Sequence, residues 1–269
     1  MTNELEPRLE PGDSPLLISI PHSGTGLPDD LRPRLTPVAL GLPDTDWFVD
    51  RLYHWANAAG AGVLTATASR YVVDLNRPPD DAPLYDADTT LLTTGIAPAQ
   101  DFGGRPLYRP GAAPGADEVT DRIGRFWQPY HALLRSEVDR IRARHGFAVL
   151  LDAHSIRHEL PLLFDGSLPD LNLGSNGGSS ADSNLRRRAY QTLDEPDLTR
   201  VLDGRFRGGY ITRHYGRPNE GVHALQLEIA QRAYMQEEPP AWKPELSERL
   251  QAVLRRLVDE LLTWKPDAP

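Results

Sequence analysis

The chain has 269 residues, with 29 Lys and Arg against 38 Asp and Glu, and this formal net charge of −9 makes nucleic acid and anionic membrane surfaces poor partners. It contains no cysteine, which excludes disulfides and thiolate ligands, so any metal must be held by His, Asp or Glu. The N-terminus is polar, and no apolar run approaches the roughly 20 residues of a membrane span, so we expect a cytoplasmic protein.

The first part of the chain predicts three buried strands and one helix. Leu16–Ile20 reads as a fully buried strand, and the β-branched runs 62–68 and 71–75 read as two more. Between them, Asp44 or Thr45 is suited to cap a helix whose apolar face continues to Ala56. Residues 78–116 are rich in Pro, Gly and Asp and predict a long excursion with little regular structure, which is usually functional or mobile.

The second part alternates in the same way. Residues 118–145 have helical apolar spacing, and Pro129 should kink or divide that helix. Further on we predict strands over 147–151, 209–212 and 223–229, a polar loop over 165–184, and a last helix over 244–264. Buried strands interleaved with amphipathic helices indicate an α/β protein with a parallel or mixed sheet, and we expect one domain over residues 1–269.

Two histidines stand where predicted buried strands end. His22 follows the run LLISI, and His154 follows FAVLL. In open α/β sheets, ligands bind beyond the carboxyl ends of the strands. One histidine in such a place is usually structural, but two favour a divalent metal site, and Asp152 is suited to orient the His154 ring.

Carboxylates for such a site come from two segments. The segment DTDWFVD offers Asp44, Asp46 and Asp50, whose ordinary reading is a helix cap with first-turn acids. We favour Asp46 as the third ligand, but the spacing alone does not separate it from Asp44. Glu228 lies in the otherwise apolar run LQLEI, where it is either a functional base or an edge-strand residue that faces water.

Basic residues cluster in two further segments. SRYVVDLNRPPDD presents Arg70, Asn76 and Arg77, which suit the carboxylates of a small anionic substrate, although neighbouring acids could equally neutralise the arginines. GGYITRHYG adds Arg213 and His214 after a predicted strand, where they could bind a carboxylate or polarise a carbonyl.

Taken together, these segments resemble a known family. IPHSG, DTDW, SRYVVDLNRPPDD, DAHSI, GGYITRHYG and VHALQLE occur in the order found in the N-formylglutamate amidohydrolase family. The matching blocks run from about residue 16 to residue 235, which is most of the chain. Each piece is short, but the combination is very specific.

The resemblance implies a three-layer α/β/α sandwich around a mixed sheet, related to the zinc exopeptidases. It implies hydrolysis of N-formyl-L-glutamate to formate and L-glutamate, the closing step of one route of histidine degradation. It also implies one divalent metal, with zinc as the first expectation and cobalt as an alternative.

Carried over residue by residue, the resemblance implies a metal site of His22, Asp46 and His154, with Glu228 as the base. The same resemblance assigns Arg70, Asn76 and Arg77 to the substrate. As a mechanism we expect these three residues and Arg213 to hold the substrate carboxylates, and the metal with a nearby cation or His214 to stabilise the oxyanion. Two alternatives stand beside this reading. One is a metal hydrolase for another N-acyl amino acid or a C-terminal peptide residue, and the other is a non-catalytic binding protein with the same anion pocket.

Overall fold

A computed structural model describes residues 5–84 and 94–266 of the chain. Nine strands are present in these ranges: β1 (Arg8–Glu10), β2 (Leu16–Ile20), β3 (Gly62–Thr65), β4 (Ala148–Ile156), β5 (Leu171–Gly174), β6 (Arg200–Leu202), β7 (Val222–Ala230), β8 (Met235–Gln236) and β9 (Ala241–Trp242). The first seven form one sheet in the order β1-β3-β2-β4-β7-β5-β6. Strands β3, β2, β4 and β7 are parallel, whereas β1 and β5 are antiparallel to their neighbours β3 and β7. The predicted mixed sheet is confirmed.

Helices cover both faces of this sheet. In the same ranges the α-helices are α1 (Pro37–Leu40), α2 (Val49–Leu52), α3 (Ala116–Arg122), α4 (Gln128–His145), α5 (Ser183–Thr192), α6 (Tyr210–Tyr215) and α7 (Pro244–Thr263). Alternate residues of β2 separate the two sides. Leu16 and Ile18 pack in the cluster that includes α5 and α7, and Leu17 packs in the cluster that includes α4 and α6. Successive side chains of a strand point to opposite faces, so this division produces the three layers.

Several predicted elements match the structure. Strand β2, strand β7 and helix α7 lie where the apolar patterns place them. The predicted long helix is divided, because a π-helical turn over Ile123–Trp127 separates α3 from α4. This turn lies directly before Pro129, which has no N–H to continue the regular helical bonding. Within 78–84 and 94–115 there is no helix or strand, and the rest of the predicted excursion, 85–93, lies outside the described residues.

Two predicted strands are wrong. Residues 71–75 form turns, since the Tyr71 N–H bonds to the Ser69 hydroxyl at 3.2 Å and the Asp74 N–H bonds to the Ile96 carbonyl at 2.7 Å. The N–H groups of Tyr71 and Asp74 are therefore not available for hydrogen bonds to a neighbouring strand. Residues 210–212 belong instead to α6, with Gly209 as its N-cap, and Ile211 packs into the core on the inner side of the helix. β-branched composition reports burial here and not strand conformation.

Other boundaries shifted as well. The helix predicted after Asp44 is only the short α2, whose N-cap is Phe48 in a left-handed conformation with φ 64°. Strand β4 continues five residues beyond its predicted end, and the predicted loop 165–184 contains β5 and the start of α5. In the described part of the chain no helix has the length and apolarity needed to cross a membrane.

Candidate active site

Strands β2, β4 and β7 are parallel, which brings their carboxyl ends to one edge of the sheet. His22 lies two residues after β2, His154 lies within β4, and Glu228 lies within β7. His154 and Glu228 are paired in the register of β4 and β7. The sheet itself therefore places a histidine and a carboxylate side by side at the edge where open α/β sheets bind ligands.

Three buried side chains converge at this edge. Ligand atoms of His22, Asp46 and His154 all lie within 4.8 Å of one another, and each residue is at most 3% exposed. Asp46 Oδ2 lies 2.9 Å from His154 Nδ1 and 3.8 Å from His22 Nδ1. Asp44 does not join them, because its Oδ2 accepts the Phe102 N–H at 2.9 Å. Of the two aspartates that the sequence left open, Asp46 is the one in the cluster.

The outer nitrogen of each imidazole meets a second carboxylate. His22 Nε2 donates to Asp74 Oδ1 at 2.8 Å, and His154 Nε2 lies 3.0 Å from Asp152 Oδ2. The bond from His22 to Asp74 fixes the His22 hydrogen on Nε2. The Nδ1 atom of His22 therefore carries a lone pair, on the side of Asp46. Carboxylate partners of this kind orient metal-binding histidines.

The donor set fits a divalent cation. His22 Nδ1 is buried and has no hydrogen-bond partner among the described residues. Burial and the nearby Arg70 charge lower the pKa of His22 and favour the neutral ring that binds metals. Two imidazole nitrogens and one carboxylate oxygen are a usual catalytic zinc set.

Arg70 and Asn76 lie inside this framework. The Arg70 guanidinium donates to Asp74 Oδ2 at 2.8 Å and lies 3.5 Å from Asp46 Oδ1. The Asn76 amide donates to Asp152 Oδ2 at 2.9 Å, and its carbonyl accepts the Ile211 N–H at 2.7 Å. Both line the cavity, and the contacts described here hold the carboxylates around the histidines. Their use as substrate ligands stays a prediction.

Glu228 faces the cluster from β7. It is 6% exposed, and burial raises its pKa to about 8, because a carboxylate away from water is disfavoured. A carboxyl group that titrates near neutrality can both take and return a proton. The edge-strand alternative for this residue is wrong, because β7 lies between β4 and β5.

A cavity of about 580 Å³ opens over these residues. Its walls differ in character. One group of lining side chains is apolar and comprises Leu84, Phe102, Ile156, Leu163 and Phe206, and a second group is cationic and comprises Arg70, Arg77, Arg205, Arg207 and Arg213. A small molecule with anionic groups matches this lining, despite the negative charge of the whole chain.

The two basic segments of the sequence are only partly brought together. Arg77 and Arg213 line the cavity, and Arg77 donates to Thr94 Oγ1 at 2.9 Å. His214, on the same helix as Arg213, stacks on Tyr210 with ring centroids 4.8 Å apart and is not among the described residues that line the cavity. Tyr210–Tyr215 is helical, so His214 and its neighbour Arg213 face different directions. The role of His214 at the oxyanion stays a prediction.

Sequence reasoning missed several residues of the site. Gln226 lies two residues before Glu228 on one strand, so the two-residue period of a strand could have indicated it. Phe102 and Arg205 reach the cavity from irregular segments, where no periodicity signals direction. The contact between Asp74 and His22 was not predicted, because a strand was expected over 71–75 and the structure has turns there.

The fold and these polar clusters define a mixed-sheet α/β protein with a buried His-Asp-His group below an arginine-lined cavity. The family model for N-formylglutamate amidohydrolase matches residues 14–235. The chain therefore belongs to the N-formylglutamate amidohydrolase family.

Known proteins agree with this assignment. The N-formylglutamate deformylase of Pseudomonas aeruginosa is 49% identical over 255 residues, and that of Pseudomonas putida is 48% identical, each alignment covering 94% of both chains. The crystal structure of N-formylglutamate amidohydrolase from Ralstonia eutropha JMP134 superposes with a TM-score of 0.82 at 26% identity, covering 95% of this chain and 97% of that one. A gene product of Agrobacterium tumefaciens, at 17% identity and a TM-score of 0.71, shares the fold.

Proposed function

We propose that this chain hydrolyses N-formyl-L-glutamate to formate and L-glutamate with one divalent metal held by His22, Asp46 and His154. The observation that carries the proposal is the convergence of both histidine Nδ1 atoms on Asp46 Oδ2, with Glu228 paired to His154 in the sheet. The choice of N-formyl-L-glutamate as the substrate is supported by the names of the two deformylases that align over 94% of the chain.

The ligand set supports zinc as the metal, with cobalt as an alternative, because imidazole and carboxylate suit both ions. When bound, such a metal supplies Lewis acidity that polarises the formyl carbonyl and lowers the pKa of water. The chain's own residues do the remainder of the chemistry.

Glu228 moves the proton in this proposal. As a buried carboxylate beside His154, it takes a proton from the attacking water and returns it to the departing amine of glutamate. Burial supports both halves of this role, because it raises the pKa of Glu228 to about 8.

Arg77 and Arg213 bind the two carboxylates of the substrate. Both line the cavity, and a planar guanidinium makes paired contacts to a carboxylate. Arg70 and Asn76 keep the metal-binding histidines in place, which supports the same reaction indirectly. We infer that this hydrolysis is the final step of a histidine-degradation route and that L-glutamate is its product.

Formate release by the purified protein tests the proposal. N-formyl-L-glutamate is supplied to the protein as isolated, after chelation, and after zinc or cobalt is restored. Activity that disappears with the chelator and returns with metal supports the reaction and the metal. No formate from folded protein with one equivalent of zinc bound would overturn the substrate assignment, and faster turnover of N-acetyl- or N-succinyl-glutamate would favour the other N-acyl amino acids.

Two substitutions test the assigned residues in the same assay. His154→Ala should lose bound zinc, because one of three ligands is gone, and full zinc occupancy in that variant would remove His154 from the metal site. Arg77→Met should raise KM for N-formyl-L-glutamate more than for N-formyl-L-glutamine. An equal change for both substrates would contradict a carboxylate-binding role for Arg77.

A further inference from the structure

Gln226 and Glu228 form a pair on the cavity side of β7. They are two residues apart on the strand, both line the cavity, and they are 4% and 6% exposed. Gln226 Nε2 donates to Glu228 Oε2 at 3.1 Å. Across residues 5–84 and 94–266, no other group donates a hydrogen bond to this carboxylate.

The Gln226 amide has a defined orientation. Its Oε1 accepts the Gly209 N–H at 2.7 Å. A flipped amide would turn its NH₂ group toward that N–H, which places two donors against each other and leaves a buried donor unsatisfied. The bond from Gly209 therefore forces Nε2 toward Glu228.

The N-terminus of α6 is held in place at Gly209, the residue that donates to Gln226. Gly209 is the N-cap of α6, and a Cβ atom added there would lie 2.5 Å from Asn76 Nδ2. The absence of a side chain at Gly209 permits this close approach. The Asn76 carbonyl then accepts the Ile211 N–H at 2.7 Å, which fixes the helix start against the same framework that holds His154.

We propose that Gln226 is a positioning residue that holds the Glu228 carboxylate toward the cluster of His22, Asp46 and His154. This inference rests on the proposed function of Glu228 as the base. A glutamate side chain has three rotatable bonds, and the cavity beside it gives it space to turn away. The Gln226 amide restricts it to one orientation, which a base needs in order to reach the attacking water.

The Gln226→Met variant tests this role, because methionine has a similar length and no hydrogen-bonding amide. We expect kcat for N-formyl-L-glutamate to fall by about 10- to 100-fold, the scale on which loss of an orienting partner lowers activity. KM should stay within about threefold, and the zinc content should remain at one equivalent per chain, since the described side-chain hydrogen bonds of Gln226 go to Gly209 and Glu228. A fall in zinc content that parallels the fall in kcat would overturn the proposal.

A double-mutant cycle with Glu228→Gln separates positioning from a general structural effect. If Gln226 acts through Glu228, then Gln226→Met should change the residual rate of the Glu228→Gln variant by less than about twofold. Losses that multiply in the double variant would show that Gln226 acts by another route and would overturn the proposal.

A crystal structure of zinc-loaded Gln226→Met decides the geometry without reference to turnover. Displacement of the Glu228 carboxylate by more than about 1 Å, or its disorder, supports positioning, because misplacement of that size lowers rates strongly. An unmoved carboxylate overturns it. Failure of the wild-type protein to release formate would instead reject the substrate, so the two outcomes are distinguishable.

Discussion

Replacement of Asp74 by asparagine gives the sharpest prediction about the metal site. Asp74 is 1% exposed and accepts three bonds of 2.8 Å, from His22 Nε2, the Arg70 guanidinium and the Asn76 N–H. Asparagine keeps one acceptor oxygen and replaces the other by an NH₂ group. At least one of the three donors would then face another donor.

The magnitude follows from which contacts are lost. Arg70 would keep Asp46 at 3.5 Å as its remaining close carboxylate partner, and its side chain is 11% exposed. Breaking a buried ion pair typically costs about 3–5 kcal/mol, and the residual partner and partial exposure place this case near 3 kcal/mol. Loss of the carboxylate behind a metal-binding histidine lowers metal affinity about 10- to 100-fold. Asp74→Asn should therefore lose both stability and zinc affinity.

The assay is zinc affinity by chelator competition, combined with urea unfolding of the metal-free protein. Asp170→Asn is the matched control. Asp170 is 8% exposed and also accepts three bonds, from Arg232 and from the backbone and hydroxyl of Thr199. It does not line the cavity, so its replacement should lower stability and leave zinc affinity unchanged. Wild-type zinc affinity in Asp74→Asn would refute the reasoning.

Two further predictions concern the base and the helix start. Glu228→Gln should nearly abolish formate release with zinc retained, whereas Glu137→Gln, at a buried glutamate that binds Arg140 outside the cavity, should keep turnover. Near-normal turnover in Glu228→Gln would exclude Glu228 as the base. Gly209→Ala should lower activity, because its Cβ would lie 2.5 to 2.7 Å from the side-chain amide atoms of Asn76, which hydrogen bonds to Asp152 and Ile211 hold in place. Gly115→Ala, at another N-cap glycine with open space around it, should not lower activity. Equal rates in the two alanine variants would contradict the close packing at Gly209.

The sequence predicts the framework of this fold well because burial leaves a direct signal in it. The uninterrupted apolar run of β2 is typical of a strand buried on both faces. The leucine spacing of α7 is typical of a helix that packs one face on the sheet. The chain direction of β2 and β4 then carries His22 and His154 to one edge of the sheet. This is why both histidines were identifiable before any distance was known.

The remainder of the site depends on contacts that local pattern does not encode. Residues 71–75 have strand-like composition, yet their backbone bonds go to Ser69 and Ile96, and the resulting turn directs Asp74 at His22. Residues 209–212 also have an apolar, β-branched composition, yet 210–215 form a helix. His214 therefore lies on a helix and not on a strand. It stacks on Tyr210 and is not among the described residues that line the cavity.

An anomalous-diffraction experiment on crystals grown with one equivalent of zinc tests the central claim most directly. We predict one zinc peak about 2.0–2.2 Å from His22 Nδ1, His154 Nδ1 and an Asp46 oxygen, because Asp74 and Asp152 occupy the Nε2 side of the two rings. A zinc peak at any other position, or none near these three residues, would contradict the account.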